Sequence, residues 1–287
     1  MPKKVINPLV KPYLKWAGGK RQLLPEIKRY LPENLSQLTY YEPFIGAGAV
    51  LFNFQPRNAV INDFNQQLIM TYRAIRDNVD ELIEALRIHA ENNNEEYFYT
   101  VRAQDRNENE FAQLTSTEKA ARLIYLNKTC YNGLYRVNSQ GFFNVPYGKY
   151  VRPAICEEPV LKAIHTYFQD NVIQILNGDF AVAVKNADRN SFVYFDPPYH
   201  SADSTNFTGY QAGGFNEQEQ TRLSDIFAEL SERGVQCLLS NSDTEFIHGL
   251  YKDFDIITVQ ARRAINSNAA GRGDVNELLI KNWRGQC

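Results

Sequence analysis

The chain has 287 residues, 44% of them hydrophobic, which allows a substantial core in one large domain or in a main domain with a smaller inserted one. Its 31 Lys and Arg residues against 33 Asp and Glu residues exclude a uniformly basic or acidic protein. No run of about 18 apolar residues occurs, and the polar opening MPKKVINPLVKPY lacks the apolar segment that directs secretion. We therefore expect no membrane span and a cytoplasmic location.

The cysteines and histidines are scattered, without a CxxC pair or the spacing of a metal site. They are Cys130, Cys156, Cys237, Cys287, His89, His165, His200 and His248. We expect free thiols in a reducing compartment, no disulfide framework and no bound metal. Surface or core positions explain the histidines better than catalysis does.

The first sixty-odd residues have the pattern of half a nucleotide-binding sheet. The segment YLKWAGGKRQLLPEIKRYL passes through a glycine pair into a predicted helix with apolar residues on one side. Next, YYEPFIGAGAVLFNF predicts a strand, a turn with Gly46-x-Gly48 and a helix from about Ala49, and VINDF predicts a strand with Asp63 at its carboxyl end. Such glycines admit a ligand close to the backbone, and the acid accepts ribose hydroxyls. The third glycine of a dinucleotide fingerprint is missing, which argues against NAD.

The middle of the chain is predicted to be helical over residues 64–127, with a loop at QDRNENE and a capping box, Thr115-x-x-Glu118. Turn residues at 132–133 and 139–141 then predict a β-hairpin arm. From Lys119 to Cys156 there are six cations and no acid, interleaved with aromatic residues. This pattern is typical of a surface that neutralises phosphates and stacks on bases, and a structural hairpin with a solvated edge is the alternative.

Beyond Pro159 the α/β pattern returns. We predict strands at VIQIL, FVYF, VQCLLSN, FDIITVQ and VNELLIKN, and a helix over 217–233. Asp63, Asp179 and Asp196 then follow predicted strands, at the edge where open α/β sheets bind ligands. In FVYFDPPY a buried strand stops at Asp196 and two prolines, which taken alone is also a way to make a plain turn. The repeated pattern predicts a sheet domain of residues 1–63 and 160–287 with an inserted domain of residues 64–159.

Six motifs together resemble, in order and over nearly the whole chain, those of the Dam-type DNA adenine-N6 methyltransferases (D12 class, alpha group). They are KWAGGK at 15–20, EPFIGAGAVLF at 42–52, NDFN at 62–65, RVNSQGFFNVPYG at 136–148, GDF at 178–180 and DPPY at 196–199. The resemblance implies an α/β fold, a Rossmann-like doubly wound mixed sheet with an inserted helical and β-hairpin target-recognition domain. It also implies a bacterial or phage-infected bacterial cell.

The resemblance further implies S-adenosylmethionine (AdoMet) as methyl donor, S-adenosylhomocysteine as product, and no metal. By similarity the cofactor-binding residues are Trp16, Gly18, Lys20, Phe44, Gly46, Gly48, Asp63, Asp179, Phe180 and Asp196. Aromatic and carbonyl surroundings suit a cationic sulfonium better than a phosphate-type cluster of cations does.

The catalytic residues implied by the resemblance are Asp196, Pro197, Pro198 and Tyr199. The adenine amino group is a poor nucleophile because its lone pair is conjugated into the ring. Hydrogen bonds from its two N–H groups to Asp196 and to the Pro197 carbonyl would free that lone pair for in-line displacement. The prolines add rigidity, and Tyr199 would stack on the base.

Since N6 lies within the duplex stack, the target base must be flipped out, at a cost of a few kcal/mol. By similarity Tyr131 would wedge into the helix, Asn132 would fill the vacated place, and Arg136 would contact a guanine, a contact worth about 1–3 kcal/mol of discrimination. The full set of expected DNA-contacting residues is Lys15, Tyr131, Asn132, Leu134, Arg136, Asn138, Asn144 and Pro146. The expected site is GATC in double-stranded DNA.

Two loops are assigned from composition. Residues 200–216 predict a mobile lid, with an ordinary surface loop as the alternative. Residues 261–274 contain three arginines that would follow phosphates, with a solvated hairpin tip as the alternative.

Three rival functions are weighed. Cytosine-N4 methylation is disfavoured because that class more often has Ser in place of Asp196. A DNA-binding regulator without catalysis finds no support in lost motif residues. Methylation of a protein glutamine or of RNA would predict Asn in the tetrapeptide and no DNA-reading arm. A cognate restriction endonuclease acting separately is a candidate partner, and we expect a monomer or weak dimer.

Overall fold

The computed structural model describes residues 6–16, 18–20, 22–201, 215–262 and 274–283. The strands are β1 Thr39–Glu42, β2 Asn58–Ile61, β3 Val172–Ile175, β4 Ser191–Phe195, β5 Gln236–Ser242, β6 Asp255–Arg262 and β7 Asp274–Lys281. The α-helices are α1 Leu24–Arg29, α2 Ala49–Phe54, α3 Gln66–Asp77, α4 Val79–Glu91, α5 Glu95–Ala103, α6 Glu108–Gln113, α7 Ser116–Thr129, α8 Glu158–Gln169, α9 Phe180–Val184, α10 Glu217–Glu232 and α11 Glu245–Leu250. Short 3₁₀ helices cover Leu35–Gln37, Gln104–Arg106 and Tyr131–Gly133.

The described strands form a seven-stranded mixed sheet in the order β3-β2-β1-β4-β5-β7-β6. Strand β1 pairs in parallel with β2 and β4, with Tyr41 opposite Val60 and Val193, and β4 pairs in parallel with β5. Strand β7 runs antiparallel to both β5 and β6. This mostly parallel sheet confirms the predicted doubly wound α/β fold.

The central strand β4 explains where the tetrapeptide DPPY lies. Its residues Ser191 to Phe195 are all buried, as expected for a parallel strand covered on both faces. Because β1 and β4 are parallel neighbours, Phe44 and Asp196 follow them at the same edge of the sheet. The charge of Asp196 therefore emerges where a rigid, buried strand ends.

The chain folds into two compact units. The first unit comprises residues 1–19, 46–55 and 63–178, and the second unit comprises residues 20–45, 56–62 and 179–287. The predicted sheet and inserted domains, 1–63 with 160–287 and 64–159, stay a prediction.

Helix α7 is the buried centre of the first unit, where it packs against α3, α4 and α5. Its start confirms the predicted capping box: the Glu118 N–H donates to Thr115 Oγ1 at 3.1 Å, and the Thr115 N–H donates to the Glu118 carboxylate at 2.8 Å. One expectation for this region is wrong. Arg122 is one of the six cations between Lys119 and Cys156 that we expected on a DNA-facing surface, but it is buried in the core and pairs with Asp105.

The predicted β-hairpin arm follows α7 and is held by two antiparallel bridges, Cys130 with Tyr147 and Val137 with Phe143. Its turn closes with a hydrogen bond from the Gly141 N–H to the Asn138 carbonyl. Gly141 has φ +84°, which explains the glycine in the predicted turn.

The predicted helix over 217–233 is α10, and Gly234 after it has the left-handed φ of +77° that ends many helices. Helix α1 is shorter than its apolar pattern suggests and ends at Arg29. Pro32 disfavours a helical conformation at the residue before it, which limits further extension.

The thiols of Cys130, Cys156 and Cys237 are free. No helix in the described ranges is both long and apolar enough to cross a membrane. Cys287, most of the loop at 200–216 and most of the loop at 261–274 lie outside the described residues.

Candidate active site and nucleic-acid interface

The glycine turn before α2 lies in the first unit and has backbone angles that other residues rarely adopt. Gly46 has φ +48° and Gly48 has φ +73°. A Cβ on Gly48 would lie 2.8 Å from both Phe52 Cε2 and Tyr72 Oη, and Tyr72 donates to the Gly46 carbonyl at 2.8 Å. The turn is therefore shaped by close packing that only glycine permits.

Trp16 and Gly18 of the KWAGGK motif belong to the same unit. The Trp16 ring stacks on Tyr135 with centroids 5.1 Å apart, and a Cβ on Gly46 would lie 3.2 Å from Trp16 Cδ1. Gly18 also has a left-handed backbone, with φ +77°. Within the first unit, the structure thus places Trp16 next to the glycine turn.

Asp63 anchors this turn through its half-buried carboxylate. The Gly46 N–H donates to Oδ2 at 3.0 Å and the Asn65 N–H donates to Oδ1 at 2.9 Å. Burial raises the pKa of Asp63 to about 6, although the backbone donors favour its ionised form. Each oxygen keeps a lone pair for a further donor, so this carboxylate can receive hydroxyl groups of a ligand.

In the second unit, Asp196 stands between a cation and a hydroxyl. Lys20 Nζ lies 2.8 Å from Oδ1, and Ser240 Oγ donates to the same oxygen at 2.9 Å. The Lys20 and Asp196 side chains are only 7% and 17% exposed. Burial raises the pKa of Asp196, while Lys20 and Ser240 act against that rise by stabilising the carboxylate. Of the described residues, none donates to Oδ2, which leaves that oxygen for a ligand.

Behind Ser240 stands a buried tyrosine. Tyr194 Oη lies 3.0 Å from Ser240 Oγ. Since a serine hydroxyl has one proton and Ser240 donates it to Asp196, Tyr194 must be the donor in this pair. Burial raises the pKa of Tyr194 well above its ordinary value, which keeps it a donor at any working pH. The result is a directed chain of two hydroxyls that ends on Asp196 Oδ1.

The Tyr199 side chain is held at its hydroxyl group by a hydrogen bond and on one ring face by a cation. Its hydroxyl donates to Glu277 on β7 at 2.7 Å, and Lys20 Nζ lies 4.3 Å from the ring centroid. Burial raises its pKa well above the ordinary value. Lys20 therefore contacts both charged and aromatic members of the tetrapeptide.

The two proline carbonyls differ in their partners. Gln220 Nε2 donates to the Pro198 carbonyl at 2.8 Å, and Gln220 is itself held by Asn241 at 3.0 Å. The described part of the chain provides no donor for the Pro197 carbonyl. Pro197 and Asp196 thus each offer one acceptor to an incoming group.

An aromatic cluster in the second unit contains Phe44, Phe180 and Phe215, with ring centroids 5.2 to 5.9 Å apart. Arg222 lies over the Phe180 ring and binds Asp179 at 2.5 Å, which lowers the pKa of Asp179. Asp179 also caps α9 by accepting the Ala181 N–H. Because Arg222 and Lys20 are both paired with carboxylates, the described residues around this cluster provide no free group of cations for a phosphate.

The predicted DNA-contacting residues all lie in the first unit. Asn127 is fully buried and holds Lys15 by both main-chain groups, at 2.9 and 2.8 Å, while its amide also donates to the Gly133 carbonyl. Lys15 packs so closely on Gly133 that a Cβ there would lie 2.4 Å from its side chain. The structure therefore places Lys15 next to the turn at Asn132.

That turn presents Tyr131 outward. The Tyr131 side chain is 55% exposed, and Asn132 has the strained φ of +56°. Leu134 is half-buried at the start of the arm, and the Pro146 carbonyl accepts the Tyr131 N–H at 2.8 Å. An exposed ring on a fixed turn is suited to insertion between bases.

Arg136 is exposed on the arm and already oriented. Its Nε donates to Asn144 Oδ1 at 2.7 Å and its Nη2 donates to the Asn144 carbonyl at 3.3 Å. Asn138 holds the turn by accepting the N–H groups of Gln140 and Phe142. Asn138 therefore has a structural task besides any contact with DNA.

Sequence reasoning missed Ser240, Tyr194 and Glu277. The signal for Ser240 was present, because Ser240 and Asn241 are polar residues in an otherwise apolar strand pattern. Buried polar side chains in a strand need partners, and Asp196 and Gln220 supply them. Glu277 had no such signal, since it alternates as an ordinary half-exposed strand residue.

Among the described residues, no group of three or more His, Cys, Asp or Glu side chains could hold a metal ion. His89 stacks on Tyr125 and burial lowers its pKa to about 4, and His200 bonds Thr244. These contacts account for both histidines structurally.

Comparisons with known proteins give one consistent family. Residues 16–265 match the family described as D12 class N6 adenine-specific DNA methyltransferase. The chain is 43% identical over 275 residues to the Type II methyltransferase M1.LlaDCHI of Lactococcus lactis subsp. cremoris, covering 96% of each chain. It is 41% identical to the Type II methyltransferase M.MjaIII of Methanocaldococcus jannaschii, covering 96% of this chain and 99% of the relative. It is 36% identical over 275 residues to the DNA adenine methylase of Escherichia coli K12, covering 93% of each.

Proposed function

The chain belongs to the D12 class of N6 adenine-specific DNA methyltransferases, and on that premise we propose that it methylates adenine N6 at GATC in duplex DNA after flipping the base. The family is AdoMet-dependent and adenine-specific, so the reaction class follows from membership. The target sequence, the flipping step and the roles of individual residues are the content of the proposal.

The residues present fit AdoMet. When bound, AdoMet supplies an electrophilic methyl group on a positively charged sulfur. Asp63 has lone pairs for the ribose hydroxyls, the glycine turn admits a ligand close to its backbone, and aromatic rings suit a cation. The proposed binding residues are Trp16, Gly18, Lys20, Phe44, Gly46, Gly48, Asp63, Asp179, Phe180 and Asp196.

The observation that supports the mechanism is that the two carboxylate oxygens of Asp196 differ in their partners. Lys20 and Ser240 occupy Oδ1, so Oδ2 and the Pro197 carbonyl remain as acceptors. We infer that each accepts a hydrogen bond from one of the two N6–H groups, which thereby draws the nitrogen lone pair out of conjugation. Orientation of the amine by fixed acceptors supplies catalysis without a strong base or a covalent nucleophile. Tyr199, fixed at its hydroxyl by Glu277, would stack on the adenine.

Base flipping is assigned to the exposed turn after α7. Unstacking and unpairing cost a few kcal/mol, which a ring inserted in the gap offsets. Tyr131 is exposed and sits on the rigid turn with Asn132, which would fill the vacated place.

Recognition of GATC is assigned to the arm and to Lys15. Arg136, already oriented by Asn144, would bind a guanine edge with its remaining N–H groups. Leu134 and Pro146 would contact the thymine methyl group, and Lys15 the first guanine. Asn138 and Asn144 complete the proposed contacts.

The relatives named as Type II methyltransferases support a place in restriction-modification, with an endonuclease that acts separately on the same site. A reaction on one adenine of one strand requires a single copy, so we propose that a monomer is sufficient for turnover.

The test is transfer of labelled methyl from AdoMet to short duplexes that contain either GATC or GTAC, followed by nucleoside analysis. We expect N6-methyladenine with GATC alone. Label on cytosine would overturn the base assignment, and equal label in both duplexes would overturn the reading of the arm. Tight DNA binding without any methyl transfer would overturn the proposal in favour of a DNA-binding regulator that lacks catalysis.

A further inference from the structure

The returning limb of the arm, Phe143 to Val145, is fastened to the helices by charged side chains. Asp105 Oδ2 accepts the Phe143 N–H at 2.9 Å, and Arg106 Nη2 donates to the Phe143 carbonyl at 2.8 Å. Arg102 Nη1 donates to the Val145 carbonyl at 3.3 Å. Three main-chain groups of the limb are therefore hydrogen-bonded to side chains of α5 and of the 3₁₀ helix Gln104–Arg106.

A buried ion pair supports this fastening. Arg122 Nη2 lies 2.9 Å from Asp105 Oδ2, and the two side chains are 2% and 5% exposed. Arg122 also donates to the carbonyls of Val101 and Arg102, at 2.9 and 2.8 Å. An isolated buried carboxylate is strongly disfavoured, and Arg122 and Arg106 both pair with Asp105 beside Phe143.

The limb alternates between the core and the surface. Phe143 and Val145 are each 1% exposed, whereas Asn144 between them points toward Arg136. The Asn144 N–H also donates to the Arg136 carbonyl at 3.0 Å. Since side chains alternate along an extended chain, a slip of one residue would turn Asn144 inward and Phe143 outward. The contacts to Phe143 and Val145 therefore decide which side chain supports Arg136.

We propose that Asp105 and Arg122, with Arg106 and Arg102, form a hairpin clamp that fixes the register of the arm and so sets how sharply Arg136 discriminates its base. These four are positioning residues that act through Phe143 and Val145. The inference rests on the proposed function, because Arg136 is the DNA reader there.

The first test compares Arg106→Ala with Arg76→Ala. Both arginines are about one-third exposed, at 34% and 31%, and each pairs with an aspartate next to it in sequence, but Arg76 lies on α3 and does not contact the arm. We expect Arg106→Ala to reduce discrimination between the preferred site and single-mismatch duplexes about tenfold, with AdoMet affinity unchanged, and Arg76→Ala to change neither. Equal discrimination in the two variants would overturn the clamp.

The second test separates the clamp from simple support of the core. The double variant Asp105→Leu with Arg122→Met removes both buried charges together, and Arg106, which loses its partner Asp105, is one-third exposed, so no buried ion is left unpaired. The Phe143 N–H still loses its acceptor. We expect a melting temperature close to the wild type together with lost discrimination. A folded double variant with wild-type discrimination would overturn the proposal.

Amide hydrogen exchange of the DNA-free enzyme tests the clamp in a way that does not depend on whether the GATC assignment is correct. Faster exchange of the Asn138 and Asn144 amides in Arg106→Ala, by about tenfold, is expected even if the preferred site is not GATC. Discrimination is then measured against whichever site the wild type prefers. Unchanged exchange would overturn the clamp, and so would faster exchange with unchanged discrimination.

Discussion

Ser240 supports Asp196 from the neighbouring strand: its hydroxyl donates to Oδ1 at 2.9 Å, on the oxygen that Lys20 also contacts. This hydrogen bond stabilises the ionised carboxylate, which the proposed acceptor role requires. The pKa of Asp196 is raised by burial, and Ser240 limits that rise.

Ser240→Ala should therefore shift the pH dependence of turnover. Loss of a donor to the carboxylate raises the pKa of Asp196 further, so the acid limb of the kcat profile moves to higher pH. A hydrogen bond to a charged group predicts a loss of roughly tenfold in kcat near neutral pH. Single-turnover rates between pH 5 and 9 measure both effects. Ser224→Ala is the control, since the Ser224 hydroxyl bonds Thr221 within its own helix, and an unmoved acid limb in Ser240→Ala would refute the role.

Asp196→Asn should abolish methyl transfer while AdoMet binding stays nearly intact, because Asp196 is proposed to act on the target amine and is only one of the ten proposed AdoMet-binding residues. Removal of an oriented charged acceptor predicts a fall in kcat of at least roughly 10²-fold. Calorimetric titration with AdoMet and methylation kinetics measure the two properties separately. Turnover at the wild-type rate would refute the mechanism. A melting curve is the control, since the change leaves Lys20 without its carboxylate.

AdoMet affinity should weaken below about pH 6, because burial raises the pKa of Asp63 to about 6. Ribose hydroxyls donate to the ionised form, so binding lowers that pKa and releases a proton near pH 6. Calorimetry in buffers of different ionisation enthalpy measures the AdoMet affinity and the number of protons released on binding. Asp63→Asn should bind roughly tenfold more weakly at pH 7.5 and lose the pH dependence. The exposed Asp170→Asn is the control, and an identical pH profile in Asp63→Asn would contradict the assignment.

Arg136→Ala should relax site choice and retain some activity. A bidentate guanine contact is worth about 1–3 kcal/mol, which predicts a fall in discrimination of roughly 10- to 100-fold against a duplex with that guanine replaced. Competition between the two duplexes measures the ratio directly. Arg152→Ala, also exposed and in the same basic segment, should instead weaken binding to all sequences equally. An unchanged preference in Arg136→Ala would count against its reading role.

Gly48→Ala should destabilise the fold. Gly48 has φ +73°, and a Cβ there would lie 2.8 Å from Phe52 and Tyr72, so strain and overpacking together predict a loss of about 2–4 kcal/mol. Gly249→Ala is the matched control, because that glycine is in α11 and its added Cβ would have no neighbour within 4 Å beyond the adjacent backbone of its own helix. It should gain about 0.5–1 kcal/mol. Denaturant titration measures both, and equal stability of the two variants would contradict the packing argument.

Several elements were determined by the sequence itself. The end of β4 at Asp196, the glycine turn before α2 and the capping box of α7 each depend on residues adjacent in the chain, and all three are confirmed. Periodicity predicted α10 within one residue at its carboxyl end. The family followed from six motifs in order, because ordered motifs carry information that no single one of them does.

Only the tertiary structure decided which polar residues serve those motifs. Ser240 reaches Asp196 because β4 and β5 are parallel neighbours, and Glu277 reaches Tyr199 because β7 pairs with β5. Charge patterning placed Arg122 on the surface, whereas α7 carries it into the core, where Asp105 neutralises it. Local sequence determines where helices, strands and turns lie, because steric preferences and hydrophobic periodicity depend on residues close together in the chain. The partner of a buried charge is set by strand order and helix packing, because those contacts join residues that are 17 to 78 positions apart along the chain.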